Sequence, residues 1–554
     1  MKKRIIALAM ALTSIFGSVG LTACGGLTGG GNSGGGTSGG GGGGAGSNVN
    51  SASNAIIGIY NAGYGVEAVT KIAKAFNEEA SNKEKGWTVS VSDQGGGFIS
   101  SNVTSKLQAA AGDFDVIMTG NVSVYNIVDK GSKYLDGYDC ALEKISDVYE
   151  STVPGESIKV KDKMVDQFYE YNTFKGEQYA MTWATGPSGV AYRADFFDTI
   201  FGKGKWNTPR TTNELIEMAD AILAKKYTPY IWSTSGSYWY YSVLAWWRQM
   251  IDDEEFDNFW NGIDENGDLS PEVFKSEARL LAFQELEKIL SGPDGSYRTD
   301  GHLHAKSGTL SNNETQLMLY NTSNKICMMA NSDWLENEMK ASEIMPGDVD
   351  IGIFRTPVIS GILKVTDKST GKKVDRFETI KTEEKLREVI TSIDEGKTSH
   401  DGVSADDFAA LKKIRSYTGT EAQNHTAFIP AYSNAKEVAK EFMKYLATDK
   451  AMQIYYNEVG TFLPFDTDNI EIDTSTRFRR EIYNMSLNAN YVSTFDSKNP
   501  LFYKTSLNYF MSSKIEQRLA TTSEKDHMTG IEYWTWVYDE AVKEWDTAIA
   551  QSKS

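Results

Sequence analysis

The chain has 554 residues, and its 74 acidic side chains outnumber the 56 lysines and arginines to give a formal net charge of −18 at pH 7. Such an acidic surface disfavours nucleic acid and anionic lipid as binding partners. About 500 residues follow the N-terminal region, which is more than one ordinary hydrophobic core holds, so we expect at least two lobes.

The first 23 residues have the pattern of a secretory signal peptide. Basic residues at 2–4 precede an apolar run over residues 5–19, which is shorter than the roughly 20 residues that span a bilayer. Leu21-Thr22-Ala23-Cys24 resembles a bacterial lipobox, whose cysteine carries a diacylglycerol thioether and an N-acyl chain such as palmitate. We therefore expect lipid on Cys24 to be the membrane anchor, the alternative being a chance cysteine in an ordinary signal peptide.

A glycine-rich tract follows this cysteine. Residues 25–46 contain 15 glycines, and such a composition forms a flexible coil rather than a packed core. Residues 24–54 are thus predicted to be a tether with a root-mean-square reach of roughly 30 Å. Cleavage before Cys24 removes three positive charges and leaves a net charge of about −21. The sequence predicts an acidic folded protein held at the outer face of the cell membrane.

Alternating strand and helix signals begin after the tether. Apolar runs predict strands at Ala55–Tyr60, Trp87–Val91 and Phe114–Met118. Apolar residues at helical spacing between them predict helices near Val66–Phe76 and Val103–Ala110. Strands separated by single helices are typical of βαβ units, so we expect an α/β fold with a parallel sheet.

Polar residues follow each of these predicted strands. Ligands of open α/β sheets bind beyond the carboxyl ends of the strands. Asn61, Tyr64, Gln94 and Asn121 stand at those ends and offer side-chain amides or a hydroxyl to a ligand. Capping or turn formation is the alternative role for each of them.

The remainder of the chain is predicted to be mostly helical. Residues 358–423 are polar, and we interpret them as an insertion outside the core that contains two amphipathic helices, at 381–393 and 404–416. Other helices are predicted after the capping box Thr211–Glu214, from Ser270-Pro271 to Leu290, at 434–447 and 449–459, and from Gly530 to about Ala550.

Aromatic residues are concentrated in one segment. Residues 227–260 contain 12 of them in 34 positions, and many of these are expected to pack inside the protein. Residues 235–241 (SGSYWYY) differ, because a polar glycine-serine loop precedes the rings. This loop is therefore a candidate ligand contact.

Cysteines and histidines give weaker signals. Cys140 and Cys327 stand beside apolar neighbours, and no spacing pairs them, so we expect buried free thiols rather than a disulfide. His302 and His304 share one face of a predicted strand without a third ligand nearby, and we expect them at the surface.

One segment partly fits a calcium loop. Asp264, Asn266 and Asp268 place oxygen ligands at positions 1, 3 and 5, but Leu269 replaces the required glycine and Lys275 the bidentate glutamate. A polar turn is favoured over a metal site. We expect no metal and no cofactor.

Three separate segments carry a family resemblance. Residues 179–197 (YAMTWATGPSGVAYRADFF) combine a strand, a loop and an aromatic-acidic pattern, and residues 326–334 (ICMMANSDW) form a strand that ends in tryptophan. Residues 431–465 combine SxxKxxAxxFxxYL-like spacing with GTFLP. In this order they resemble the extracellular solute-binding proteins of sugar-importing ABC transporters, the family that includes maltose-binding protein.

The resemblance implies a two-lobed Venus-flytrap fold that closes on its ligand by hinge motion. Lobe 1 would comprise residues 55–180 with 424–462, and lobe 2 residues 181–423 with 463–554. Crossings between the lobes would fall near Tyr179, Asn424 and Phe462. The family also implies a monomer that binds an oligosaccharide, meets the membrane subunits of an ABC transporter and catalyses no reaction.

Aromatic rings that stack on sugar faces are expected to dominate the cleft. The family's tryptophan at the position of Trp334 stacks on a sugar, and Asp333 beside it would accept hydrogen bonds from hydroxyls. The further expected contacts are Trp183, Trp232, Tyr238 and Trp239. A peptide or polyamine is an alternative ligand, and a surface adhesin or a glycoside hydrolase is an alternative function, because carboxylate pairs occur throughout the chain.

Overall fold

The computed structural model describes residues 51–554 except 62, 96–99, 111, 121, 234–237, 293–300, 368–369, 421–424, 494–496, 508–514, 520, 522 and 524. The predicted signal peptide, Cys24 and most of the tether lie outside the described residues. So do Asn121, Asn424 and residues 235–237 of the predicted ligand-contacting loop.

Most strands belong to one of two main sheets. The strands are β1 (Asn54–Ile59), β2 (Thr88–Asp93), β3 (Val116–Thr119), β4 (Thr173–Phe174), β5 (Glu177–Gln178), β6 (Met181–Thr182), β7 (Ser188–Arg193), β8 (Thr228–Tyr230), β9 (Ile326–Ser332), β10 (Ile351–Arg355), β11 (Lys364–Thr366), β12 (Lys373–Asp375), β13 (Tyr417–Gly419), β14 (Thr426–Phe428) and β15 (Asn490–Val492).

Helices surround both sheets. They are α1 (Glu67–Glu78), α2 (Ala80–Lys85), α3 (Ser100–Gln108), α4 (Val124–Lys130), α5 (Ser146–Glu150), α6 (Val160–Lys163), α7 (Asp166–Asn172), α8 (Ala194–Phe201), α9 (Thr212–Ala224), α10 (Trp239–Met250), α11 (Asp253–Asn261), α12 (Glu277–Leu290), α13 (Asn312–Tyr320), α14 (Leu335–Lys340), α15 (Glu383–Asp394), α16 (Ala405–Ser416), α17 (Lys436–Tyr445), α18 (Asp449–Val459), α19 (Arg477–Ser486), α20 (Pro500–Tyr503), α21 (Ile515–Arg518) and α22 (Gly530–Ser552). Among the described helices, none is both long and apolar enough to cross a membrane.

The first sheet has the order β2-β1-β3-β14-β6. Strand β1 pairs in parallel with β2 and β3, so that Ile57 lies opposite both Val91 and Val116. Strand β14 returns antiparallel to β3 from far along the chain. The predicted parallel βαβ arrangement is confirmed, and it rests on apolar β1 side chains that are fully buried.

The second sheet has the order β10-β7-β9-β8. Strand β9 is buried along its whole length and pairs antiparallel with β7 and parallel with β8. A strand covered on both sides accommodates a continuous apolar run, which explains the sequence ICMMA at its start. The carboxyl end of β9 leads directly into Asp333 and Trp334.

The chain passes from the first sheet to the second between β6 and β7. There the Thr185 amide donates to the Phe462 carbonyl at 3.0 Å, and the Thr461 hydroxyl donates to the Thr185 carbonyl at 2.7 Å. Two crossing segments therefore run side by side, a geometry that suits a hinge between two lobes.

The interpretation of residues 358–423 as an insertion outside the core was wrong. Helices α15 and α16 form close to the predicted positions, but both bury an apolar face in the main hydrophobic cluster. Leu386, Val389 and Ile390 are fully buried on α15, as is Leu411 on α16. The polar composition reflects the solvent-facing sides of these helices.

Two other predictions require correction. His302 is fully buried rather than at the surface, since its Nδ1 donates to the Ile289 carbonyl and its Nε2 lies 2.8 Å from Asp220 Oδ1. The long helix predicted from Pro271 is interrupted, because a 3-10 turn over Pro271–Lys275 ends at Ser276 before α12 begins.

Several local predictions hold. The Thr211 hydroxyl accepts the Glu214 amide at 3.3 Å and caps α9. Cys140 and Cys327 are free thiols as predicted, and Cys327 is buried, but the predicted burial of Cys140 is wrong because its side chain is only half-buried. The segment from Asp264 forms a polar turn, whose details bear on the calcium alternative.

In that turn, Asp264 Oδ1 accepts the backbone amides of Asn266 at 2.9 Å and of Asp268 at 3.1 Å. These bonds hold the pKa of the Asp264 carboxyl below its usual value. The carboxylate thus serves the turn itself, as aspartates commonly do in loops.

Candidate ligand-binding site

Aromatic rings from both lobes meet between the two main sheets. Tyr64 follows β1 of the first sheet, Trp183 follows β6, and Trp334 follows β9 of the second sheet. The Tyr64 ring centroid lies 5.9 Å from that of Trp183 and 6.0 Å from that of Trp334, both in edge-to-face geometry. All three rings are buried, and Trp334 is 5% exposed. The structure therefore brings together three of the residues predicted from sequence.

Asp333 is buried beside these rings. The Ser332 hydroxyl donates to its Oδ1 at 2.9 Å, and the Tyr64 hydroxyl, from the other lobe, donates to the same oxygen at 3.4 Å. Its Oδ2 has no hydrogen-bond partner within the part of the chain that the structure describes. Burial raises the pKa of this carboxyl to about 7, because no bulk water stabilises its charge.

The hinge segment lies directly against this carboxylate. A Cβ atom added to Gly186 would come within 1.9 Å of the Asp333 carboxyl carbon, so only glycine permits the approach. Gly186 belongs to the crossing between β6 and β7. Asp333 thus contacts both the hinge segment and Tyr64 of the opposite lobe.

Two residues missed by the sequence analysis complete the cluster. The His425 ring lies 5.2 Å from that of Tyr64 and 5.3 Å from that of Trp183, while Tyr455 lies 6.5 Å from Tyr64. Burial, and secondarily the charge of Asp333, raise the pKa of the Tyr455 hydroxyl well above its ordinary value. No local pattern marks either residue, because each reaches the site through long-range folding.

The aromatic loop contributes one ring to the site. Tyr238 lies 5.5 Å from the Trp334 ring, and its hydroxyl accepts a hydrogen bond from Asn312 Nδ2 at 2.9 Å. Trp239 is fully buried against Tyr230, with ring centroids 5.3 Å apart. Trp232 is also buried, and its backbone amide donates to the Ser307 hydroxyl at 3.1 Å.

Among the described residues, the side-chain amides predicted at the ends of the first-sheet strands do not join the ring cluster through the hydrogen bonds that they make. Asn61 donates to Asp93 Oδ2 at 3.4 Å, and Gln94 donates to the Ser92 hydroxyl at 2.9 Å. Both side chains are half-buried at the carboxyl ends of β1 and β2. These hydrogen bonds stay within the first lobe, in contrast to the bond from Tyr64 to Asp333.

The two lobes are in direct contact beside Trp334. Asn337 Nδ2 donates to the Gly63 carbonyl at 2.7 Å, and Lys340 Nζ donates to the Glu458 carbonyl. A Cβ atom on Gly63 would lie 2.8 Å from Trp334 Cγ. The structure therefore shows a closed arrangement, in which the backbone of Gly63 covers the tryptophan.

Comparisons with known proteins identify similar sequences and folds. Residues 71–290 match the family model described as bacterial extracellular solute-binding protein. This segment, about 40% of the chain, is therefore similar to bacterial extracellular solute-binding proteins. No curated protein matches the sequence.

Solved structures resemble the matched segment and the remainder of the chain together. RafE in complex with raffinose is similar at 12% identity and a TM-score of 0.53, covering 88% of this chain and 99% of that one. A chitin oligosaccharide binding protein is similar at 14% identity and a TM-score of 0.55, covering 90% of this chain and 99% of that one. Maltose-bound MalE3 of T. maritima is similar at 13% identity and a TM-score of 0.51, covering 88% of this chain and 99% of that one. At these identities the likeness establishes the two-lobed fold.

A site of this kind suits reversible binding of a solute. Rings from both lobes offer flat apolar surfaces, and Asp333 offers a hydrogen-bond acceptor between them. A ligand that touches both lobes stabilises the closed state relative to the open one. Across the described residues, no group of three or more His, Cys, Asp or Glu side chains forms a metal site.

Proposed function

We propose that the chain is the lipid-anchored substrate-binding subunit of an ABC importer and captures a neutral oligosaccharide between its two lobes. The observation that carries this proposal is the ring cluster of Tyr64, Trp183 and Trp334 around Asp333 at the lobe interface. Sugar faces rich in C–H groups stack on such rings, and hydroxyls donate to the carboxylate. The ligands named for the similar solved structures, raffinose, chitin oligosaccharide and maltose, favour the same ligand class.

The energetics are adequate for a transport protein. Micromolar affinity corresponds to about 8 kcal/mol. A few stacked rings at roughly 0.5–1.5 kcal/mol beyond their area burial, with several hydrogen bonds, reach this value after ordering costs. The ligand must enter an open state, because the contact between Gly63 and Trp334 covers the tryptophan in the closed one.

A thermal-shift panel tests the proposal. Residues 51–554 are heated with raffinose, maltose, chitotriose and xylotriose, and a ligand present at 100 times its Kd should add about 2.7 kcal/mol to the free energy of unfolding. Trp334→Ala should abolish the shift. Trp87→Ala should retain it, because Trp87 stands at the amino end of β2, opposite to the cleft. The absence of a shift with every sugar would refute the sugar proposal.

A second ligand class follows from Asp333 Oδ2, which is buried without a hydrogen-bond partner among the described residues. A protonated amine next to aromatic rings would neutralise this carboxylate. Spermidine and a short peptide therefore belong in the panel. A thermal shift with an amine and with none of the sugars would replace the oligosaccharide by a polyamine or peptide in the proposal.

The anchor and the absence of catalysis are separate parts of the proposal. Full-length protein expressed in bacteria should partition into the detergent phase of Triton X-114, and Cys24→Ala should move it to the aqueous phase. Incubation with each sugar should release no new reducing ends, whereas their appearance would indicate a glycoside hydrolase. Co-purification of the native protein with ABC membrane subunits would test the importer assignment.

A further inference from the structure

Helix α13 presents two carboxamides on one face. Asn312 and Gln316 are four residues apart, so both side chains lie on the same side of the helix. Both are buried, at 6% and 0% exposure. Asn312 Nδ2 donates to the Tyr238 hydroxyl at 2.9 Å, and Gln316 Nε2 donates to Glu338 Oε2 at 2.6 Å. We call these two residues the α13 face.

The oxygens of the α13 face lack partners. Asn312 Oδ1 and Gln316 Oε1 are buried without a hydrogen-bond partner among the described residues, and the same is true of Trp334 Nε1. An unsatisfied buried polar atom typically costs about 1–3 kcal/mol, and native proteins contain few of them. Three such atoms, two acceptors and one donor, therefore lie along one continuous set of contacts and are suited to hydrogen bonds with a polar ligand.

Contacts connect the α13 face to the lobe interface at two points. Through Tyr238 it reaches the Trp334 ring, 5.5 Å away between centroids. Through Glu338 it reaches the opposite lobe, since Glu338 Oε1 lies 3.0 Å from the position of a Cβ on Gly63. Opening of the lobes would withdraw Gly63 and uncover this region.

We propose that the α13 face is a ligand-binding element whose two carboxamide oxygens accept hydrogen bonds from the sugar that stacks on Trp334. This inference rests on the proposed function and assigns to the ligand at least two hydroxyl or N–H donors on the side that faces α13. Asn312 and Gln316 act as acceptors, while their N–H groups remain bound to Tyr238 and Glu338. Flat rings alone can bind a sugar in several orientations. A preformed pair of acceptors selects one of them.

Two substitutions test the proposal with a matched control on the same helix. Gln316→Met keeps a similar side-chain shape and removes the acceptor oxygen together with the Nε2 donor to Glu338. Asn312→Ala removes the second acceptor together with the donor to Tyr238. Asn313→Ala is the control, because Asn313 is exposed on α13. Titration calorimetry uses whichever of raffinose, maltose, chitotriose or xylotriose binds the wild-type chain most tightly. Each test variant should weaken Kd by about tenfold, since a hydrogen bond is lost and its donor stays desolvated.

Stopped-flow fluorescence provides a readout that a merely structural role would not reproduce. If the two carboxamides contact the bound sugar, each substitution should raise the dissociation rate and leave the association rate within about twofold of wild type. A displaced Trp334 would instead slow association. Melting temperatures identify variants that fail to fold, and Gln316→Met alone decides the outcome if Asn312→Ala is one of them.

The outcomes separate the two proposals. If the wild-type chain binds a sugar and Gln316→Met binds it as tightly as Asn313→Ala, the α13 face is not a binding element and the proposed function stands. If the wild-type chain binds none of the four sugars, the proposed function fails and the inference fails with it.

Discussion

Substitution of Asp333 by asparagine should change how stability depends on pH. Burial raises the pKa of the Asp333 carboxyl to about 7 in the folded chain, whereas an exposed aspartate in an unfolded chain has a pKa of about 3.9. The folded state therefore binds a proton more tightly than the unfolded state, and stability falls as pH rises from about 4 to about 7. A difference of about three units corresponds to about 4 kcal/mol at 1.36 kcal/mol per unit, most of it lost by pH 7.

Urea denaturation from pH 4.5 to pH 8.5 measures this directly. Asp333→Asn carries no charge, so its free energy of unfolding relative to wild type should increase with pH and level off above about pH 7. Asp401→Asn is the control, because Asp401 is exposed. Glu481, whose pKa burial also raises to about 7, contributes a slope common to all three proteins. Parallel pH profiles for wild type and Asp333→Asn would refute the assignment of a raised pKa to Asp333.

Three further predictions concern other parts of the structure. Gly63→Val should hold the lobes apart, because a Cβ at this position would lie 2.8 Å from Trp334. X-ray scattering should therefore show a larger radius of gyration for this variant than for the control Gly361→Val, whose position has open space around it. In folded residues 51–554, Cys140 should react with Ellman's reagent before Cys327, because Cys140 is half-buried and Cys327 fully buried, although burial raises the pKa of both thiols. Equal rates would contradict this. His302→Ala should lower the free energy of unfolding by about 2–3 kcal/mol in urea titrations, whereas a surface histidine would give almost no change.

The fold was largely predictable because its first half follows local rules. Strands β1, β2 and β3 are short apolar runs separated by amphipathic helices, and this pattern indicates a parallel sheet without reference to other proteins. The later strands were harder to predict, because β14 is three residues long and pairs with β3 from about 300 residues away. Pairing over such a separation leaves no local signal.

The prediction that residues 358–423 lie outside the core was wrong because their helices are polar overall but each buries one apolar face. On α15 the buried Leu386, Val389 and Ile390 are spaced at i, i+3 and i+4, which predicts a helix correctly. The same spacing does not show whether the apolar face packs on the main core or on a separate insertion. Only the tertiary structure answers that question, as it does for His302 beside Asp220.

Some residues of the candidate site could be predicted from sequence, whereas others could not. Trp334, Asp333 and Trp183 were predicted because they lie in segments with a family resemblance, and the structure places them next to Tyr64. Two other members of the ring cluster, His425 and Tyr455, and the two residues of the proposed α13 face occur singly in segments without a recognisable pattern. His425 and Tyr455 reach Tyr64, and Asn312 reaches Tyr238, through packing between elements that are distant in sequence.

A crystal structure of residues 51–554 with the tightest-binding sugar of the panel would test the central claim most directly. The account predicts a sugar ring stacked on Trp334 between the two lobes, with a hydroxyl within hydrogen-bonding distance of Asp333. A sugar bound elsewhere on the surface, or an unoccupied cleft at a concentration that saturates binding in solution, would contradict it.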